Sequence, residues 1–193
     1  MERDERYVPA LSFDWLTPLY DPCVRWLMPE RKFKSHLVRR ASLSEGRRVL
    51  DLGCGTATLT LLVKEMHPEA RVRGLDGDPK ILEIARRKAE RAGAEIGFDE
   101  GMAYLLPYPA GSFDRVLSSM VLHHLTEENK RRTLAEVFRV LAPGGEFHVA
   151  DFARQNKRLT GQLREAGFER VAEHARYRTL FGRLSLWEAR RPA

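Results

Sequence analysis

The 193-residue chain reads as one α/β domain built on a largely parallel sheet. Three observations carry that reading. Val49, Leu50 and Leu52 form a short apolar run of the kind found in strands buried on both faces. The run ends in the turn Asp51-Leu52-Gly53-Cys54-Gly55-Thr56, after which Leu59, Leu61, Leu62, Val63 and Met66 repeat like one face of a helix. The same strand-then-helix rhythm returns from Arg71 onward, which is the pattern of βαβ units. A strand, a glycine turn and a helix in that order open a nucleotide-binding α/β domain.

The elements follow in order. Residues 1–45 stand apart from the sheet as an N-terminal helical segment, and 46–193 form the ligand-binding core. In the first part Leu11, Phe13, Trp15, Leu16, Leu19, Tyr20, Val24, Trp26, Leu27 and Met28 are interrupted by Pro9, Pro18, Pro22 and Pro29, which break it into short helical pieces. A helix after Arg31 turns Phe33, Leu37, Val38 and Ala41 inward and Arg39 and Arg40 outward. Arg71 to Asp76 is a second strand ending in a carboxylate. Asp78 caps the next helix, with Pro79 as its first residue, and the helix ends near Gly93. Ala94 to Phe98 is a short third strand and Phe113 to Ser119 a fourth. Thr126 caps a helix with Leu134, Val137, Phe138 and Leu141 inward, stopped by Pro143-Gly144-Gly145. Glu146 to Asp151 is the fifth strand; a helix over Asn156 to Ala166, a sixth strand after Gly167-Phe168 and a seventh from Arg183 to Arg190 complete the chain.

Composition sets bounds on function. The chain is 43% hydrophobic and 31% charged, ordinary for a soluble domain. No apolar run approaches membrane-spanning length, and no signal peptide is read at the start. Cys23 and Cys54 offer neither a disulfide framework nor metal spacing, which fits a reducing cytoplasm. Thirty-three Lys and Arg against 27 Asp and Glu give a net charge of +6. That charge favours acidic partners, or is a solvated arginine-rich surface. The aromatic, basic N-terminal region is a candidate for peripheral contact with an anionic membrane.

The glycine turn narrows the ligand. A dinucleotide fingerprint needs a third glycine where Thr58 stands. Asp51, two residues before the first glycine, repels a pyrophosphate and suits a cationic ligand. The stretch Arg48 to Thr60 closely resembles the first motif of class I S-adenosylmethionine-dependent methyltransferases. Leu141-Ala142-Pro143-Gly144-Gly145 before a strand is a further hallmark of that family, and Tyr20-Asp21 resembles the ubiquinone/menaquinone C-methyltransferase group. The resemblance spans roughly Arg47 to Arg190.

The resemblance implies a Rossmann-like seven-stranded sheet of order 3-2-1-4-5-7-6 with the seventh strand antiparallel and helices on both faces. It implies S-adenosyl-L-methionine as cofactor, with S-adenosyl-L-homocysteine as product. Asp51, Gly53, Gly55 and Thr56 belong to the cofactor turn. Asp76, some twenty residues on, is placed to accept from a ribose diol, with Gly77 beside it. Met102 stands where the family carries an acid against the adenine amino group, with Ala103 following; Asp99 and Glu100 are nearby acids. Ser119 ends the fourth strand as a further cofactor contact. Tyr20 and His123 are the catalytic candidates, and Asp151 is a weaker candidate base. His124 adjoins His123, so one ring faces the pocket while the other packs or faces out; no second ligand set accompanies them, and no metal is expected.

Two absences sharpen the picture. The Asn/Asp-Pro-Pro-aromatic motif of enzymes that methylate base amines or protein glutamine does not follow the fourth strand. The insertion that caps the substrate in quinone C-methyltransferases is missing, because Asp151 leads almost directly to Asn156. The N-terminal segment is therefore expected to act as the lid. The resulting expectation is in-line methyl transfer to a small, lipophilic, quinone- or lipid-like acceptor by a cytoplasmic monomer or homodimer that needs no nucleic acid. The alternatives are a cofactor-binding regulatory protein without turnover and an RNA or protein methyltransferase. Acceptor atom and pathway stay open.

Overall fold

A computed structural model describes residues 30–44, 46–154 and 158–193. The proline-broken segment and Tyr20 lie outside the described residues. In chain order the elements are α1 (Glu30–Arg40), β1 (Arg48–Leu52), α2 (Thr58–Met66), β2 (Arg71–Asp76), α3 (Pro79–Arg91), β3 (Gly97–Glu100), β4 (Phe113–Ser119), a 3₁₀ turn (Leu122–His124), α4 (Glu127–Val140), β5 (Leu141–Phe152), α5 (Leu159–Glu165), β6 (Glu169–Thr179) and β7 (Gly182–Arg190). All seven strands join one sheet of order β3-β2-β1-β4-β5-β7-β6. β1 to β5 run parallel, while β7 pairs antiparallel with β5 and with β6. This is the order and the single antiparallel insertion that the resemblance implies.

Strand periodicity divides the interior into two cores. Along β1, Val49 faces one side with Phe33, Leu37 and Val38 of α1 and Leu59, Leu62 and Val63 of α2. Leu50 and Leu52 face the other side with Leu134, Val137 and Val140 of α4 and Leu159 and Leu163 of α5. Successive side chains point to opposite faces of a strand, so one apolar run supplies both cores. Each fully buried aliphatic or Phe side chain contributes roughly 1.5–3 kcal/mol. Phe33, Leu37 and Val38 are at most 1% exposed, which is ample to hold α1 on the sheet.

Local chemistry sets the boundaries. Asp78 caps α3 by accepting from the Lys80 and Ile81 amides, with Pro79 first in the helix. Thr126 caps α4 through the Asn129 amide. One expectation needs correcting: the third strand begins at Gly97, not Ala94. The Ala94 amide bonds back to the Ala89 carbonyl and Gly93, at φ +60°, bonds to Glu90, a glycine C-cap that consumes these residues before a strand can begin. The fifth strand starts early, at Leu141 opposite Phe113. The chain then bulges through Pro143 and the two glycines before regular pairing resumes at Glu146.

Candidate active site

In an open α/β sheet, ligands sit outside the carboxyl ends of the strands, where the strand order reverses. Here that point lies between β1 and β4. Two groups of residues meet there, one on each strand.

The first group is the turn after β1. Gly53 (φ +68°), Gly55 (φ +53°) and Ala57 (φ +64°) alternate in the left-handed region, so the chain winds tightly before α2. The Gly53 and Cys54 amides both donate to the Leu75 carbonyl of β2, at 2.8 and 2.9 Å, and tie the turn to its neighbour. The two glycines serve different ends. A Cβ on Gly53 would lie 2.4 Å from a methyl of Val121, whereas a Cβ on Gly55 would enter open space. Gly53 is thus required by packing, and Gly55 leaves backbone open to a ligand.

Asp76 at the end of β2 organises the same turn. Its Oδ2 accepts from the Gly55 amide at 2.9 Å and its Oδ1 from the Asp78 amide at 3.1 Å. The Gly77 amide also acts on it, and since a carboxylate has about four acceptor sites, capacity for a further donor is left. Burial holds its pKa above the usual carboxylate value, opposed by the Gly55 amide. Asp51 sits deeper, 1% exposed, accepting from the Thr60 hydroxyl at 2.6 Å. Burial pushes its pKa up to about 6, against the Thr60 bond and the nearby Lys34 cation. Cys54 packs between these acids, and burial drives its thiol far above its ordinary value. The turn therefore offers open backbone and two close carboxylates, a setting for a cationic, hydroxyl-rich ligand and a poor one for phosphate.

The second group follows β4. Ser119 carries a buried hydroxyl oxygen with no hydrogen-bond partner among the described residues. Met120 has φ +62°, a left-handed conformation that costs a non-glycine residue roughly 1–2 kcal/mol. This bend brings Val121 against Gly53 and leads into the 3₁₀ turn. There His123 Nδ1 meets Asp151 Oδ1 of β5 at 2.8 Å. The His123 amide also donates to Asp151 Oδ2, at 3.3 Å. Asp151 is fully buried, and the His123 side chain is 15% exposed. The edge of Phe152 and the tilted ring of His124, at centroid distances of 5.0 and 3.9 Å, hold the imidazole in place. A carboxylate only accepts, so Nδ1 carries the proton and Nε2 is left as the basic nitrogen.

The expected residues divide accordingly. Asp51, Gly53, Gly55, Thr56, Asp76 and Gly77 all lie on the β1 and β2 rim, and Ser119 and His123 lie on the β4 rim. Met102 abuts Gly77, its sulfur 3.0 Å from where a Cβ would stand, with Ala103 next to it. Asp99 is committed elsewhere: Arg73 binds it through two nitrogens at 2.7 and 2.8 Å, and the Tyr108 hydroxyl donates to it at 2.8 Å. It is therefore no substitute for the missing adenine acid. Sequence reading treated Asp151 as a separate base; it is the partner of His123, 28 residues away. A groove of about 850 Å³ lined by Arg71, Arg73, Gly97 and Tyr108 contains neither rim's polar groups. The fit to S-adenosylmethionine rests on the open backbone at Gly55, the spare acceptors of Asp76 and the unpartnered Ser119 hydroxyl.

Comparison with known proteins points the same way. The family model described as "Methyltransferase domain" matches residues 49–145. A demethylmenaquinone methyltransferase of Thermus thermophilus is 38% identical over 161 residues, covering 82% of this chain and 72% of the relative. The Deinococcus radiodurans protein of the same name is 33% identical over 172 residues, covering 88% and 70%. Among solved structures, the S-adenosylmethionine-dependent methyltransferase SibL superposes with a TM-score of 0.73 at 25% identity, over 96% of this chain and 60% of that one. The [4+2]-cyclase SpnF gives 0.75 at 21%, over 84% and 81%, and attests to the fold alone. By its matched domain, its sheet and its relatives, the chain belongs to the class I S-adenosylmethionine-dependent methyltransferases and resembles their menaquinone methyltransferase group.

Proposed function

We propose that the chain methylates a ring carbon of a lipophilic quinol, with His123 as general base and Asp151 holding it in place. The observation that carries this reading is the 2.8 Å contact between His123 Nδ1 and the buried Asp151 carboxylate at the end of β5. The relatives named demethylmenaquinone methyltransferase support a quinol as the acceptor class. A ring carbon becomes nucleophilic when a neighbouring hydroxyl loses its proton. His123 Nε2 takes that proton, and Asp151 stabilises the imidazolium that results; once the methyl group has added, the ring carbon gives up its own proton to solvent and the oxygen regains one from the imidazolium.

S-adenosylmethionine, when bound, supplies a methyl group on a sulfonium, already a good leaving group. The protein's share is then positioning and exclusion of water. In this reading Asp76 accepts from the ribose hydroxyls, and Gly53, Gly55 and Thr56 present backbone to the amino-acid end, above the charge of Asp51. Gly77, Met102 and Ala103 wall the adenine, and Ser119 donates from the β4 rim. The reading needs no nucleic acid and operates in the cytoplasm with a monomer or a homodimer. α1 is committed to the sheet core, so the lid role falls to the chain before it: Tyr7 to Met28, with Tyr20, would cover the acceptor. Deleting residues 1–28 should cut methyl transfer far more than S-adenosylhomocysteine affinity; an unchanged rate removes that segment from the reaction.

The deciding experiment presents the purified protein with methyl-labelled S-adenosylmethionine and a demethylated naphthoquinol bearing a short prenyl tail. Label is expected on the ring carbon. Label on oxygen, or on protein or RNA but not on the quinol, replaces this acceptor assignment.

A further inference from the structure

The hairpin joining β6 to β7 has an unusual tip. Thr179 pairs with Gly182, leaving Leu180 and Phe181 as a two-residue loop. The Thr179 hydroxyl donates to the Gly182 carbonyl at 2.8 Å and accepts from the Phe181 amide at 3.1 Å, so the tip is well built. Two-residue hairpin loops favour Asn, Asp and Gly. This one carries Leu180 at 73% and Phe181 at 60% exposure, two of the three most exposed large apolar residues described. Among the described residues nothing covers them.

The flanking residues carry charge of one sign. Arg178 and Arg183 stand directly opposite each other across the hairpin, one residue below the tip pair, and both are exposed. Like charges in directly opposed positions destabilise a hairpin. Of the acids on this face, Asp151 is buried against His123 and Glu173 is bound through both oxygens by Arg176, and Arg183 feels Glu173 only at longer range. Arg178 has no ion pair among the described residues. An anion at the tip would relieve the opposed pair.

Position completes the argument. β7 runs antiparallel to β5, so its first residues lie at the carboxyl end of the parallel strands, the end that carries His123 and Asp151. The Ala153 amide donates to the Arg183 carbonyl at 2.9 Å and fastens the base of the tip two residues beyond Asp151. We infer that the β6–β7 tip docks on an anionic lipid bilayer, with Leu180 and Phe181 entering the headgroup boundary and Arg178 and Arg183 on lipid phosphates. The purpose assigned to this docking, access to an acceptor dissolved in the membrane, rests on the quinol reading; the docking itself does not. Apolar insertion beside basic side chains is how peripheral proteins hold an anionic surface, and each well-placed Arg strengthens partition about fivefold.

The test uses the full chain and sedimentation with vesicles, without acceptor. Wild type should bind vesicles of equal phosphatidylglycerol and phosphatidylcholine, and bind phosphatidylcholine alone at least about tenfold more weakly. Leu180→Ser/Phe181→Ser and Arg178→Gln/Arg183→Gln should each lose about tenfold or more on the anionic vesicles. Both should keep S-adenosylhomocysteine affinity and circular dichroism, which shows that they fold. Variants that bind as wild type, equal binding to both vesicle types, or no binding at all overturn the proposal. So does a dimer in solution that these substitutions dissolve, which assigns the tip to a second copy of the chain. Methyl transfer to a water-dispersed short-tailed quinol separates the two readings. If it is unchanged in the variants while vesicle binding is lost, both stand. If wild type never methylates any quinol yet binds vesicles through the tip, only the acceptor is wrong.

Discussion

The two rims of the site are built by different means. The β1–β2 rim is made of backbone: left-handed residues at Gly53, Gly55 and Ala57, amides turned onto Leu75, and one carboxylate, Asp76, that gathers two further amides. The β4–β5 rim is made of side chains brought from separate strands, an imidazole on a buried carboxylate. On the function proposed above, backbone geometry serves a ligand common to many enzymes, while a side-chain pair serves one acceptor. The rims meet where Val121 fills the space beside Gly53. The difference predicts that damage to one rim separates from damage to the other in the kinetics.

The largest effect should come from His123→Ala. A general base contributes roughly 10²–10⁴-fold, so the turnover rate should fall by that order while S-adenosylhomocysteine affinity stays within about twofold. Calorimetry beside a labelled-methyl assay reads both. Asp151→Asn should lose much of the same factor and change the pH profile, because an amide no longer stabilises the imidazolium. Equal loss of affinity and rate would break the division into two rims.

Next is the contrast between the glycines. Gly53→Ala must displace Val121 and strain a left-handed residue, and should cost about 2–4 kcal/mol of stability. Gly55→Ala meets open space and should cost about 1–2 kcal/mol, from backbone strain alone, yet should weaken cofactor binding by narrowing the approach. Denaturant unfolding and calorimetry test the crossing of the two orders. Gly53→Ala should also slow turnover, since it pushes on the bend that carries His123.

Asp76→Ala should weaken the cofactor by about tenfold or more, since charged acceptors are worth about 1.5–3 kcal/mol per bond. Two of the bonds lost are internal, to Gly55 and Asp78, so the variant should also melt lower, which a thermal scan checks.

The last effect, spread over two pH units rather than set by one substitution, is that of pH. Asp51 has a folded pKa of about 6, above the unfolded value of about 3.9, so the folded state holds the extra proton. Stability of the ligand-free protein should therefore fall as pH rises from about 4 to about 6, by roughly 3 kcal/mol in all, and level off above. Binding of the cationic cofactor favours the ionised form, so affinity should drop as pH is lowered below about 6, by at most about tenfold per unit. Asp51→Asn should flatten both curves in thermal scans and calorimetry. A pH-independent affinity in the native protein would show that Asp51 does not sense the cofactor's charge.

Much of the molecule was legible in local pattern. The runs at Val49 to Leu52, Arg71 to Asp76 and Phe113 to Ser119 fold as the strands they announce, because period and boundary chemistry lie within a few residues. Asp78 and Thr126 cap their helices for the same reason. That the glycine turn and Asp76 come together at one rim was legible because a tight left-handed turn demands particular residues at a set spacing. The start of β3 was misjudged because Ala94 faces two claims on its amide, and the cap of α3 wins.

What the chain could not announce was pairing at a distance. His123 and Asp151 were each candidates in sequence but separate ones, and it is the parallel register of β4 and β5, with the left-handed bend at Met120, that sets one on the other. The release of Asp99 from any role at adenine was equally hidden, since it depends on Arg73 facing it from β2. Nor could sequence place Leu180 and Phe181 at the catalytic end of the sheet, because that follows from β7 entering antiparallel beside β5. Local steric and capping preferences act over a turn of chain and leave a mark in composition. Register across a sheet arises from the sum of both cores, and only the folded structure carries it.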